Sequence, residues 1–284
     1  MDVKVVGVLG AGTMGNGIAQ VAAQAGYQVV MRDIEDRFVE NGIKAIDKFL
    51  TKSVEKGKMT EDQKKAVTGR IKGTTRMEDL KNVDVVIEAV FEDLDIKKKL
   101  FKELDELTRK DVILTSNTSS MSITEIAVAT KRPEKVAGMH FFNPAPLMKL
   151  VEVIRGFHTN DETTKFVIEL TKKMGKEPVE VKKDTPGFIV NRLMIPHFIE
   201  AIQLVQEGIA SMEDIDKAVK LGLNYPMGPF ELMDLTGVDI AHHVMEYFYK
   251  ELNKESKWSV PQLMKSMIRA GKLGRKTGGG WYKY

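Results

Sequence analysis

The stretch Val3-Lys4-Val5-Val6-Gly7-Val8-Leu9-Gly10-Ala11-Gly12-Thr13-Met14-Gly15 decides how the rest of this chain is read. Val3 to Leu9 is a nearly continuous apolar run rich in β-branched residues, the pattern of a strand covered on both faces in a parallel sheet. Gly10 stops it. A helical pattern runs from Thr13 to Gln24 and is ended by Gly26, and a second strand reads from Tyr27 to Arg32. The whole is one βαβ unit with glycines at its first turn.

Further strand-like runs lie at Val83 to Val90, Val112 to Thr115, Val136 to His140, Leu150 to Ile154 and Val179 to Val181, with helical patterns such as Leu94 to Leu107 and Thr163 to Met174 between them. Such alternation predicts a layered α/β domain. After Asp184-Thr185-Pro186-Gly187 the character changes. Phe188 to Gln206 reads as a helix that Pro196 bends, and the remaining residues show helical periods without convincing strands. The expected organisation is an α/β domain over 1–186 and an all-α domain over 187–284. Near the end, Arg275-Lys276-Thr277-Gly278-Gly279-Gly280 reads as a flexible tail. Before it, Leu221, Leu223, Met227, Phe230, Leu232, Met233 and Leu235 crowd together more apolar surface than a small domain needs for itself.

Hydrophobic residues make up 43% of the 284 positions and charged residues 29%, a globular balance. Lys and Arg number 43 against 40 Asp and Glu, and a net charge of +3 gives no reason to expect nucleic acid or an anionic membrane as partner. The absence of cysteine excludes disulfides, thiolate metal sites and cysteine nucleophiles. No apolar run approaches the roughly 20 residues of a membrane span. Met1-Asp2-Val3-Lys4 leads straight into a strand with no secretion or transit pattern, so a cytoplasmic protein is the simplest expectation.

Gly10-Ala11-Gly12-Thr13-Met14-Gly15 has the spacing GxGxxG, which is weak alone and gains weight from its strand-to-helix setting. Gly10 permits the turn, Gly12 admits a pyrophosphate against the backbone, and Gly15 lets helix pack on strand. Amides at the helix N-terminus, beginning with Thr13 and Met14, then face the phosphates. Asp33, at the end of the second strand, is placed to accept hydrogen bonds from ribose hydroxyls, and its charge repels a phosphate there. This describes a Rossmann-type site that favours NAD over NADP; Arg32 and Arg37 keep NADP open. Lys44, Lys48, Lys52 and Lys56 recur on one helix whose apolar face is marked by Ile43, Ile46, Leu50 and Val54. Like charges at that spacing repel by roughly 0.2 to 0.5 kcal/mol per pair. An anionic ligand would offset this, and a solvated face relieved by Glu40, Asp47 and Glu55 equally would.

Histidine occurs at 140, 158, 197, 242 and 243, with no His-Glu-x-x-His pair, so metal catalysis is not expected. His140 ends an apolar run, where ligand crevices open in a parallel sheet. Glu152 shares a strand face with Leu150 and Ile154, an unfavourable place for a charge without a partner. If the chain folds back about Pro146, positions 140 and 152 face each other. A carboxylate there would orient the imidazole and support its charged form, suiting proton exchange with a substrate oxygen. The residues alone leave open that each is satisfied separately. Ser116-Asn117-Thr118-Ser119-Ser120 supplies hydroxyls at the same predicted sheet edge or serves as a polar turn.

Five blocks together resemble the short-chain 3-hydroxyacyl-CoA dehydrogenases over essentially the whole chain: Gly7 to Gly15, Ser116 to Ser120, His140-Phe141-Phe142-Asn143-Pro144, Asp184 to Arg192, and Tyr225-Pro226-Met227-Gly228-Pro229-Phe230. The resemblance implies reversible, NAD-dependent oxidation of a short 3-hydroxyacyl-CoA, such as 3-hydroxybutyryl-CoA to acetoacetyl-CoA. It implies His140 as the acid/base with Glu152 as its partner, and Ser119 and Asn191 on the reacting oxygen. Asp33, Glu92, Lys97, Ser119, Asn143 and Lys276 would contact NAD. At the lysine helix the chain departs from animal relatives, and Lys48 and Lys52 are the candidates for CoA. A homodimer formed through the helical part is also implied. A dehydrogenase of free 3-hydroxy acids and a non-catalytic, crystallin-like NAD-binding relative are the rival readings.

Overall fold

In the computed structural model, which describes residues 3–284, the first βαβ unit is built from β1 (Val5–Leu9), α1 (Thr13–Gln24) and β2 (Gln28–Arg32). It continues through α2 (Asp36–Glu55), α3 (Glu61–Thr68), β3 (Ile71–Thr74), β4 (Val85–Glu88), α4 (Leu94–Leu107), β5 (Ile113–Ser116), α5 (Ile123–Ala127), β6 (Val136–Phe141), β7 (Leu150–Ile154), α6 (Asp161–Lys173) and β8 (Glu177–Val181). Among the described residues these strands form one eight-stranded sheet in the order β3-β2-β1-β4-β5-β6-β7-β8. The six strands from β3 to β6 are parallel, and β7 joins β6 antiparallel with β8 parallel to β7. Strand order reverses between β1 and β4, the switch point at which ligands bind beyond the strand C-termini in such sheets. The apolar runs fill the core: Val6, Val8, Val85, Ile87, Leu114 and Met139 are fully buried.

The strand β3 has no counterpart among the sequence expectations. Ile71-Lys72-Gly73-Thr74 has one large apolar residue, lies at the sheet edge and is only half buried, so it carries little apolar signal. Its pairing is set by neighbours: Gly73 lies under α2, where a Cβ would come within 2.4 Å of Val39 and 2.9 Å of Ile43. Ile43 itself is 41% exposed, while Ile46 and Leu50 carry the buried face of α2.

The chain divides into two compact units, one ending at Thr185 and the other Pro186–Tyr284. The second contains α7 (Val190–Gln206), α8 (Met212–Gly222), α9 (Pro229–Thr236), α10 (Val238–Glu251) and α11 (Gln262–Arg269). Helix α7 begins at Val190 rather than Phe188, because Phe188 takes a left-handed backbone with φ of 52°. Phe198, Phe230, Met233, Met245 and Phe248 form the unit's own core.

The segment expected to be a flexible tail is folded. Arg275–Thr277 form a 3-10 turn, and Gly279 bridges both Gly274 and Lys283. The cause is Asp234, buried in α9, whose carboxylate accepts from the Trp281 and Tyr282 amides at 2.9 Å each. Asp216 of α8 accepts from the Phe230 and Glu231 amides and from the Tyr282 hydroxyl. Burial pushes the Asp216 carboxyl up from its ordinary value, against those hydrogen bonds. Burial and the facing Asp216 push the Tyr282 phenol far up in turn. Glycines in a local window conceal a segment held by carboxylates 47 to 66 positions away.

Candidate active site

Each glycine of the first turn answers to a distinct constraint. Gly10 has φ of 94°, and a Cβ there would lie 2.4 Å from the Ala89 carbonyl oxygen, the backbone just beyond β4. A Cβ on Gly15 would lie 1.9 Å from the Gly10 oxygen, so α1 can rest on β1 only without one. At Gly12 nothing stands within 4 Å of a Cβ, leaving backbone open to an approaching group. Beside this turn is a cavity of about 680 Å3, lined by Gly10, Ala11, Gly12, Asp33, Ile34, Phe38 and Val90 among others. Asp33 is fixed at its edge by the Ala11 and Ile34 amides, each 2.7 Å away. An open glycine backbone, a helix N-terminus and an anchored carboxylate on an apolar cavity fit the pyrophosphate, ribose and base of a dinucleotide.

The two arginines that kept NADP open are both engaged. Arg32 Nε donates to the Thr75 carbonyl, while Arg37 pairs with Glu35 at 2.7 Å and lies over the Phe38 ring. Lys48 and Lys52 stand exposed on α2.

Along the same edge of the sheet, β6 and β7 pair in the register His140↔Glu152. His140 Nδ1 lies 2.8 Å from Glu152 Oε2, with His140 5% and Glu152 0% exposed. A carboxylate inside an apolar strand is tolerated because the facing strand presents an imidazole to it. Two further side chains, not recognised in the sequence, set this corner. Asn117 Oδ1 accepts from the Phe141 amide at 2.8 Å, extending the β5–β6 contact past the last paired residues to the position after His140. Lys176 donates to the Ala145 and Met148 carbonyls, holding the connection between β6 and β7. The Phe142 ring lies against His140, with centroids 4.5 Å apart.

Between these two areas, at the ends of β4 and β5 and in the first turn of α4, lie Glu88, Glu92, Lys97 and Ser119. Lys97, expected to reach a cofactor, is 1% exposed, its ammonium placed between Glu88 at 2.6 Å and Glu92 at 3.3 Å. Glu92 Oε1 accepts from Thr118 Oγ1 and from both the amide and hydroxyl of Ser119. Asn143 is exposed just after β6. The structure thus brings together His140 with Glu152, Glu92 with Lys97 and Ser119, and Asp33 with the glycine turn. Asn191 lies in the first turn of α7, and Lys276 is paired with Asp239 at 2.6 Å, both in the second unit. Glu88 is a site residue that sequence reasoning missed, although it carries the same clue as Glu152, a carboxylate in the apolar run Val85-Val86-Ile87.

A mostly parallel sheet with a glycine turn at its switch point, a buried histidine–carboxylate pair on its antiparallel hairpin and a helical unit following it define a nicotinamide-dependent dehydrogenase of the two-domain type. The 3-hydroxyacyl-CoA dehydrogenase NAD binding domain matches residues 5–185, and the 3-hydroxyacyl-CoA dehydrogenase C-terminal domain matches residues 187–284. The chain belongs to the 3-hydroxyacyl-CoA dehydrogenase family. It is 48% identical over 277 residues to a 3-hydroxybutyryl-CoA dehydrogenase of Clostridioides difficile, with 98% of each chain covered. It is 44% identical to the mitochondrial hydroxyacyl-coenzyme A dehydrogenase of Homo sapiens over 99% of this chain and 91% of that one. Among solved structures, (S)-3-hydroxybutyryl-CoA dehydrogenase from Ralstonia eutropha superposes with a TM-score of 0.96 at 47% identity, covering 100% of this chain and 99% of that one.

Proposed function

We propose that the chain catalyses the reversible oxidation of (S)-3-hydroxybutyryl-CoA to acetoacetyl-CoA with NAD. The observation that carries this reading is the buried His140–Glu152 pair at the strand end, in a chain of this family. With Nδ1 committed to Glu152, the imidazole exchanges a proton through Nε2. In the oxidative direction it takes the 3-hydroxyl proton, and Glu152 stabilises the imidazolium that results. NAD held at the glycine turn and Asp33 would supply the acceptor for the hydride that leaves the substrate carbon. Ser119 and Asn191 stabilise negative charge on the reacting oxygen. The glycine turn from Gly10 to Gly15 and Asp33 hold the dinucleotide, with Glu92, Lys97, Asn143 and Lys276 as further cofactor residues. Lys48 and Lys52 are the candidates for CoA phosphates.

Turnover of acetoacetyl-CoA with NADH tests the reading directly. Comparable turnover of free acetoacetate would move it to a free 3-hydroxy acid, and no oxidation of NADH with any 3-oxoacyl-CoA would leave a cofactor-binding protein. Preference for NADPH would overturn the argument from Asp33.

The second unit supports a homodimer. Leu221, Leu223 and Leu235 are 76%, 58% and 48% exposed, so much of the apolar cluster seen in the sequence does not enter the unit's own core. Among the described residues no helix is long and apolar enough to cross a membrane. Both proposed substrates are multiply charged nucleotides that do not cross a bilayer unaided, which supports a reaction inside the cell, the cytoplasm being the compartment we propose.

A further inference from the structure

Glu88 is a fully buried carboxylate for which the proposed chemistry has no use. Its Oε1 accepts from Lys97 Nζ at 2.6 Å and from the Val90 amide at 2.7 Å, and its Oε2 accepts from Ser116 Oγ at 2.6 Å. Three donors, one of them an ammonium, are gathered on its two oxygens. Ser116 Oγ in turn accepts from the Thr118 amide, and Thr118 Oγ1 donates to Glu92. Glu92 faces Lys97, which returns to Glu88. These contacts close a ring from the end of β4 to the end of β5 and back, and Ser119 hangs from it by its amide and hydroxyl on Glu92.

The charges explain why the ring has this shape. It holds two carboxylates and one ammonium, and the ammonium lies closer to buried Glu88 than to Glu92, whose side chain is 41% exposed. A buried ammonium must keep an anionic partner. With Glu88 present, that need is met from below, and Glu92 Oε1 stays with Ser119. Without the Glu88 charge, Glu92 becomes the nearest carboxylate, and pairing fully with Lys97 draws it from the serine.

We propose that Glu88 is a positioning residue for the reaction: by holding Lys97 it keeps Glu92 on Ser119 and so fixes the serine that meets the reacting oxygen. The role assigned to Ser119 rests on the proposed function; the ring itself does not. Two measurements separate them.

Amide hydrogen exchange over residues 117–121 reads the ring without substrate. In Glu88→Gln, protection of the Ser119 amide falls about tenfold or more as its Glu92 acceptor leaves; unchanged protection overturns the ring. Kinetics with acetoacetyl-CoA and NADH read the consequence. Glu88→Gln lowers kcat by about 10- to 100-fold, the usual scale for a group that orients a site residue. In the Ser119→Ala background the same substitution costs under about threefold, because the group it positions is gone. Additive losses overturn the proposal. If Glu88→Gln does not fold, Glu88→Asp, which shortens the carboxylate's reach and withdraws it from Lys97, is held to the same two criteria. If the wild type turns over no 3-oxoacyl-CoA, the functional reading fails and hydrogen exchange alone decides the ring.

Discussion

His140 and Glu152 exclude solvent from one hydrogen bond, and a proton-transfer group in such a pair is worth more than its contact area. His140→Gln keeps a polar group facing Glu152 but removes the exchangeable proton. Turnover is expected to fall by about 10² to 10⁴ while NADH binding is kept; steady-state assays with a fluorescence titration check both, and unchanged turnover removes His140 from the mechanism. Glu152→Gln leaves the imidazole without its anionic partner, so a smaller loss in kcat and little change in KM for acetoacetyl-CoA are expected. Asn117 belongs to the same scale, because its side chain replaces a strand hydrogen bond next to the histidine.

Elements impose their own tests. The glycines of the first turn separate packing from binding. Gly15→Ala forces a methyl group against the Gly10 carbonyl, so the variant loses stability by several kcal/mol, on the order of 3 to 5, and melts early with or without cofactor. Gly12→Ala meets open space, so it should melt near the wild type yet lose NADH affinity about tenfold or more, at least 1.4 kcal/mol. Equal behaviour in calorimetry and titration would sink the distinction. At the start of α9, Lys220 beside Glu231, aided by the Gly228 amide, holds the Glu231 carboxyl below its ordinary value of 4.5. A lowered carboxyl contributes stability above pH 4.5 that is lost as pH falls through the folded value. Glu231→Gln should therefore be less stable than the wild type at pH 6, by under about 1 kcal/mol for so exposed a pair, and the gap should close toward pH 3. Urea titrations across that range check the sign; a gap that widens with acid contradicts it.

At the scale of the whole molecule, two units each bury a core, and the second leaves apolar side chains in water. Burying one such leucine contributes about 1.5 to 3 kcal/mol, enough for several to sustain an association. Leu221→Glu with Leu223→Lys should convert the proposed dimer to a monomer in sedimentation at micromolar concentration without lowering helix content by circular dichroism. A monomeric wild type would remove the proposed dimer.

Much of the fold is legible in the sequence because it is short-range. The βαβ unit, α1 from Thr13 to Gln24 and α4 from Leu94 to Leu107 follow from apolar period and glycine punctuation, which neighbouring residues alone determine. Strand β3 is not legible, since an edge strand of four residues with one apolar side chain is paired only when β2 and α2 are already in place. The closing segment from Arg275 to Tyr282 is hidden for the same reason: its hydrogen-bond acceptors are Asp234 and Asp216, which no local window contains. The sequence by itself determined that Glu152 needed a partner, because a charge in an apolar strand cannot stay unpaired, and it carried the same clue, unread, at Glu88. Only the tertiary structure decided that Glu152 meets His140 across a hairpin while Glu88 meets Lys97 beneath the Ser119 loop, because partner choice depends on strand register and on which helix covers the strand ends.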